Sequence, residues 1–289
     1  MNPRVSALIV NYRSYDETSR CLASLGPASP EIECIVVDHA TDPGALAGLR
    51  RAHPPVLFAA GNENPGFGAG INRAARLARG RLLLVLNPDT IVGPDVIDTL
   101  SAWIDTRHDT ALVGPLVHAA DGSIEASARA FPGWSTVFGG RRSWLSRRWP
   151  SNPLSRRNLL TGSDVVNPID VDWVSGVCML IRREAFEAVG GFDERFFLYW
   201  EDADLCRRLK QAGWRIAYHP GCRVVHLGGR SSRHRAVPAT LAFHRSVYRY
   251  FIKHGGSWRY ALAPFVFVAL QARLGVSVAR AALGGSRGR

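Results

Sequence analysis

With 289 residues, 46% of them apolar and 21% charged, the chain has the composition of an ordinary globular protein and length for a sizeable core. Its longest uncharged apolar run, Tyr260 to Ala272, is 13 residues and contains Pro264, which excludes a spanning helix there. The net charge of +12 is unevenly placed, because no Asp or Glu occurs between Glu125 and Asp164 or after Asp204, and the last 85 residues carry 16 Lys/Arg. A basic surface of this kind suits nucleic acid, an anionic membrane face or a phosphorylated substrate.

The run from Arg4 to Asn11 reads as a strand buried on both faces and leaves no room for a signal peptide before it. Leu22 and Leu25 then mark a helical segment. Further apolar runs at Ile32–Val37, Val56–Ala60 and Leu82–Leu86 end at Asp38, a glycine-rich loop and Asn87-Pro88-Asp89. Strands alternating with helices predict an α/β fold with a mostly parallel, Rossmann-like sheet flanked by helices, whose ligands bind at the carboxyl ends of the strands. Asn11, Asp38, residues 61–72 and Asp89 all fall at those ends. The five cysteines (Cys21, Cys34, Cys178, Cys206, Cys222) form no C-x-x-C pair and read as buried free thiols, which favours a reducing compartment.

Asp38 suits a ribose or base edge, or the cap of a turn. In the loop Gly61 to Asn72, glycines at 66 and 68 allow close backbone approach, and the helix expected from Ile71 to Ala78 would favour a phosphate at its start. The loop lacks the Lys-Ser/Thr of a P-loop and follows the third strand, which disfavours dehydrogenase chemistry. Asn87-Pro88-Asp89 offers hard oxygen ligands for Mg²⁺ or Mn²⁺ shared with a substrate diphosphate, or forms an Asx turn before Thr90. In Trp200-Glu201-Asp202-Ala203-Asp204, acids lie between an apolar run and a basic helix. They serve either as a general base with a raised pKa or as a helix start suited to the macrodipole.

These residues resemble the family 2 glycosyltransferases of GT-A fold, especially bacterial rhamnosyltransferase-like members. The matching pieces are Ala7-Leu8-Ile9-Val10-Asn11-Tyr12, Val36-Val37-Asp38, Asn64-Pro65-Gly66-Phe67-Gly68 and Leu86-Asn87-Pro88-Asp89-Thr90. Val174-Ser175-Gly176, Gly190-Gly191-Phe192-Asp193-Glu194, Glu201-Asp202-Ala203-Asp204-Leu205 and Val225-His226 follow in the family's order. The resemblance implies a GT-A domain over 1–235 and a basic, amphipathic, helical C-terminal extension over 236–289. It implies Asp202 as catalytic base, and Asn11, Tyr12, Asp38, Asn64, Gly66, Gly68, Asn72, Asn87 and Asp89 around the donor nucleotide. Asp89 and His226 would hold a divalent cation, with Asn87 replacing the first Asp of the usual Asp-x-Asp motif. Trp173, Ser175, Gly176 and Trp200 would line the acceptor side, with Glu201 and Asp204 binding acceptor or holding the helix start. The implied reaction is a single inverting displacement from a nucleoside-diphosphate sugar. The favoured donor is dTDP-L-rhamnose, with UDP- and GDP-sugars open, and the acceptor a polyprenyl-diphosphate-linked or cell-surface glycan.

Residues 131 to 163 interleave Phe131, Trp134, Phe138, Trp144 and Trp149 with six arginines, which suits a membrane interface, a lipid-diphosphate acceptor or a lid. Toward the end, Arg245, Arg249 and Lys253 recur every four residues, and Arg273, Arg280 and Arg287 every seven. Both patterns fit helices lying on an anionic bilayer, or packed in a core or dimer. The expected location is the cytoplasmic face of the plasma membrane, peripherally. A non-catalytic basic protein for nucleic acid or polyanion is the rival reading. No recognised nucleic-acid motif supports it, and the acids cluster where a sheet's ligand sits, so no nucleic-acid partner is expected.

Overall fold

The computed structural model describes residues 2–27, 29–40, 42–131, 165–228 and 236–284. The aromatic and basic stretch at 131–163 lies outside them apart from Phe131. The parallel half of the sheet is built from β1 (Val5–Asn11), β2 (Ile32–Asp38), β3 (Leu57–Ala60) and β4 (Leu82–Leu86), in the order β3-β2-β1-β4. Every residue of β1 is buried, because side chains alternate between two covered faces. Leu8 and Val10 pack with Ile71, Ala74 and Ala75 of α3 (Phe67–Leu77). Val5, Ala7 and Ile9 pack with Cys21 and Leu22 of α1 (Tyr15–Ser24) and Leu49 of α2 (Pro43–Ala52). Helix α3 starts at Phe67, four residues before the apolar periodicity begins, since Gly68 and Gly70 give no apolar signal although both are buried.

Beyond β4 the sheet becomes mixed. Strand β11 (Cys178–Arg182) runs antiparallel between β4 and β6 (Thr110–Ala119). Strand β12 (Arg215–His226) lies parallel to β6, and β5 (Thr90–Val92) pairs antiparallel with its end. Helix α4 (Val96–Asp105) covers this half with Val96, Ile97, Leu100 and Ile104. Four short strands lie off this path, among them β7 (Ile124–Glu125) on β6, and β8 (Ala128–Arg129) with β10 (Trp173–Val174) as a separate ribbon. The fourth, β9 (Ile169–Asp170), joins β12, and α5 (Arg183–Ala188) follows β11.

Helix α6 (Glu201–Gln211) has Glu201, Asp202 and Asp204 in its first turn and Arg208 and Lys210 in its last, which complements the helix dipole at both ends. The C-terminal extension is α7 (Ala236–His254) followed by α8 (Arg259–Gly284). Helix α7 docks on α6, with Tyr250 buried in the same core as Leu205 and Leu209. The basic stripe of α7 is therefore divided. Arg245 and Arg249 are exposed, while Lys253 turns inward to Asp193 at 2.7 Å and Asp204 at 2.6 Å. The stripe does not lie on a surface as one unit, because the half-buried Asp193 and the buried Asp204 draw one of its members in. Among the described residues no helix is long and apolar enough to cross a membrane. Cys21, Cys178, Cys206 and Cys222 are buried free thiols, and Cys34 is half-buried.

Candidate active site

The carboxyl ends of β1 and β2 are fastened to each other. Asn11 Nδ2 donates to Asp38 Oδ1 at 2.8 Å, and Asn11 Oδ1 accepts from the Ser14 amide at 3.0 Å and from Thr18 Oγ1 at 3.1 Å. The Ala40 amide donates to the same Asp38 oxygen at 3.2 Å, while the Tyr15 hydroxyl donates to Oδ2 at 3.2 Å. Burial, then the Asp38 charge, pushes the Tyr15 phenol up to about 12, so it stays a donor. Asp38 is thus a fully buried carboxylate whose outer oxygen lies under Tyr15, with the half-buried Tyr12 beside Arg13 at the mouth.

The glycine-rich loop is put to a use that differs from the expected phosphate cradle. Gly66 has φ +105°, and a Cβ there would collide with the Phe197 carbonyl, while one on Gly68 would meet Phe192 Cβ at 2.9 Å. The Phe67 amide donates to Phe197 O at 3.0 Å, and the Gly66 amide donates to Asn64 Oδ1 at 3.0 Å. The Gly66 and Phe67 amides, at the cap and first residue of α3, are therefore bonded to protein. Asn72 grips the same segment, donating to Phe192 O at 2.9 Å and accepting from the Phe192 amide at 2.9 Å. The close approach that these residues permit is to the loop carrying the Glu-Asp pair.

Residues 176 and 177 bring the two acidic motifs together. The Gly176 amide donates to Asp202 Oδ2 at 3.0 Å, and the next residue, Val177, accepts through its carbonyl from the Asn87 amide at 3.0 Å and Thr90 Oγ1 at 3.2 Å. Asn87 O in turn accepts from the Thr90 amide at 3.2 Å, closing the Asn-Pro-Asp turn. Asp202 keeps partial exposure at the start of α6. Burial raises its pKa, against the bonds from Gly176 and Ala203 and the Arg129 charge, which makes it a stronger base than a free carboxylate. Glu201 is buried and its Oε2 has no partner. Burial first, and the neighbouring Asp202 charge second, push its carboxyl well above the usual range.

Backbone strain marks the same point. Tyr199 and Trp200 have φ +67° and +70°, left-handed values that bulky residues rarely adopt and that functional sites often store. Trp200 is held there by Tyr250 at 5.0 Å and Trp173 at 5.6 Å between ring centroids. Trp173 in β10 pairs with Arg129 in β8, whose guanidinium lies 5.0 Å from the indole. Ser175 donates its amide to Ser127 O at 2.7 Å. Gly176 thus bonds Asp202, with Trp200 two residues ahead of it packed on Trp173, whereas Asp204 points away and binds Arg208, Lys253 and His254.

At the edge of the sheet His226 stands opposite Thr90, in the β12–β5 pair, and its Nε2 lies 3.2 Å from Asp89 Oδ1. Its Nδ1 faces both oxygens of Glu125, at 3.2 and 3.1 Å. Burial opposes the charged ring, but the bonds to Asp89 and Glu125 outweigh it and raise the pKa to about 10. Among the described residues no three His, Cys, Asp or Glu converge on one point. A carboxylate and an imidazole nitrogen that already share a proton are nonetheless a donor set that a divalent cation fits by replacing it. Glu125 and Arg129 escaped the sequence reading. The available signal was that Glu125 is the last acid before Asp164, directly ahead of the acid-free stretch.

A profile described as "Glycosyltransferase like family 2" matches residues 3–240. The chain is 34% identical over 275 residues, 90% of its length and 88% of the relative's, to the N-acetylglucosaminyl-diphospho-decaprenol L-rhamnosyltransferase of Mycobacterium tuberculosis. It is 27% identical over 257 residues, 86% of its length and 93% of the relative's, to rhamnosyltransferase WbbL of Escherichia coli. Among solved structures, the mannosyltransferase PcManGT of Pyrobaculum calidifontis, in complex with GDP-Man and Mn²⁺, superposes with a TM-score of 0.57. That match is 17% identical and covers 100% of this chain and 77% of that one, and it shows the shared fold. The mixed sheet with its parallel half, the polar strand ends and the Glu-Asp helix are therefore those of a nucleotide-sugar-dependent glycosyltransferase, and the chain belongs to glycosyltransferase family 2.

Proposed function

We propose that the protein transfers L-rhamnose from dTDP-L-rhamnose, with inversion, to a polyprenyl-diphosphate-linked N-acetylglucosamine or a related lipid-linked glycan of the cell surface. The observation that carries this reading is the fastening of Asp202 and the Asn87–Thr90 turn to two consecutive residues, Gly176 and Val177. Base and donor-diphosphate site are thereby held in fixed relation, which positional catalysis requires. Support for the sugar comes from the names of the two rhamnosyltransferase relatives, and for the acceptor from that of the mycobacterial one.

Asp202 takes the proton of the acceptor hydroxyl as its oxygen attacks the anomeric carbon from the face opposite the nucleotide. One displacement suffices, and no enzyme nucleophile is needed. Asp38 and Asn11 receive the nucleoside, with Tyr15 moving aside, and Asn87 faces the sugar or ribose. Asp89 and His226 would hold Mg²⁺ or Mn²⁺, which supplies positive charge to the departing nucleoside diphosphate. Trp173 and Trp200 bound the acceptor side and exclude water around the base.

The same reading places the protein peripherally on the anionic cytoplasmic face of the plasma membrane. Tyr260, Phe265 and Val268 of α8 are 64–72% exposed, in a region without a single carboxylate side chain after Asp204.

The deciding experiment incubates purified protein, Mn²⁺ and a short-chain polyprenyl-diphosphate N-acetylglucosamine with dTDP-rhamnose, UDP-galactose, UDP-galactofuranose or GDP-mannose. A rhamnosylated product formed from dTDP-rhamnose alone is expected. Product from a UDP- or GDP-sugar instead would reassign the donor and keep the chemistry, while no product from any donor would overturn the acceptor.

A further inference from the structure

The geometry points to Glu125 as a positioning residue that fixes the His226 ring so that Nε2 faces the cation held with Asp89. This rests on the metal site proposed above. Glu125 is brought there by register. On β7 it pairs with Val117 of β6, and Val117 pairs with Val224 of β12, so these three stand in one row across the sheet. His226 is two residues beyond Val224 and therefore on the same face of its strand. A glutamate side chain leaning along the strand direction spans that diagonal, and both of its oxygens meet Nδ1, at 3.2 and 3.1 Å.

An N–H shared between two carboxylate oxygens assigns the proton to Nδ1. The other nitrogen, 3.2 Å from Asp89 Oδ1, would give up the proton it shares with that oxygen and turn a lone pair to a cation. Without Glu125 the ring is free to rotate or flip, and Nε2 loses both its aim and the basicity that an anionic partner lends it. Glu125 is not placed to be a third ligand, since His226 stands between it and Asp89. The other residue of the two-residue β7, Ile124, is exposed.

The test is calorimetric titration of wild type, E125A, E125Q, H226A and the double variant E125A/H226A. The titrant is whichever of dTDP, UDP and GDP binds wild type most tightly, with Mn²⁺ and again with EDTA. The ratio of the two affinities isolates the metal-linked part of binding from activity and from folding. Expected is a roughly 10- to 100-fold fall of that ratio in E125A, with part retained by E125Q, which keeps an acceptor oxygen. H226A should fall at least as far, and the double variant no further than H226A, because a residue acting through His226 has nothing left to orient. An unchanged ratio in E125A, or losses that add in the double variant, would overturn the positioning role while leaving the metal site standing. A wild type that binds nucleotide equally well in EDTA would overturn the metal site and this role together.

Discussion

His254 Nε2 lies 2.7 Å from Asp204 Oδ1, which ties the last turn of α7 to the first turn of the helix that carries Asp202. Lys253 reaches the same oxygen at 2.6 Å, and Arg208 Nε reaches Oδ2 at 2.8 Å. Asp204 is thus a fully buried carboxylate bound by Arg208 of its own helix and by Lys253 and His254 of α7. The C-terminal extension does more than append a surface: it braces the start of the helix that carries Asp202.

Breaking a buried ion network by removing one partner typically costs about 3–5 kcal/mol, because the remaining charges stay buried. Asp204→Asn should lower stability by about that amount in urea unfolding at pH 7. Burial alone would raise the Asp204 pKa, but His254, Lys253 and Arg208 outweigh it and hold it below the usual value. The contribution is therefore present above about pH 4, the unfolded value, and is lost as pH falls through the lower folded one. Between pH 5 and pH 3, about one unit either side of that value, the wild-type midpoint should fall more steeply than that of D204N. Parallel curves would refute the assignment.

Asp202→Asn should reduce transfer by roughly 10²- to 10⁴-fold, the range for loss of a general base, while nucleotide affinity stays as in wild type. Its thermal midpoint at pH 7 should be equal to or above that of wild type. A carboxyl whose folded pKa is raised opposes folding above its unfolded value, and the asparagine oxygen still accepts from Gly176. In wild type, kcat/KM should decline as pH falls through the raised Asp202 value.

Gly66→Ala forces a Cβ into the Phe197 carbonyl at φ +105°. A cost of about 1–3 kcal/mol is expected, with a lower kcat, because relief requires moving the loop that leads to Tyr199 and Trp200. Gly26→Ala is the control. Its φ is +84° but nothing lies within 4 Å of the added atom, so only the conformational penalty of roughly 1 kcal/mol applies and kcat should not move.

Chelation should abolish transfer and Mn²⁺ should restore it, whereas H226A should need far more Mn²⁺ for the same rate. Rates indifferent to EDTA would remove the cation from the mechanism.

For membrane attachment, flotation with anionic vesicles at low salt should carry the wild-type protein upward. Phe265→Ala with Val268→Ala should weaken partitioning by about tenfold or more, given roughly 1.5–3 kcal/mol per buried side chain of this size. Wild type that stays in the bottom fraction would refute the attachment.

The sequence by itself determined the parallel half of the sheet and the order of the motifs. Runs such as Val5–Val10 and Leu82–Leu86 admit no amphipathic alternative, because every position must be buried, and Asn11, Asp38 and Asp89 necessarily follow them at one sheet edge. It also marked Asp202 as the acid of interest. The sequence did not show what each polar residue touches. Gly66, Gly68 and Asn72 read as ligand-facing, yet they close against Phe192 and Phe197. Lys253 read as part of a surface stripe, yet it turns to Asp193 and Asp204. Glu125 gave no periodic signal, since a two-residue strand has none, and only the pairing of β7, β6 and β12 carries it to His226. Local pattern fixes which face of an element is apolar. Contacts across 60 to 120 residues of chain depend on sheet order and register, and these only the tertiary structure decided.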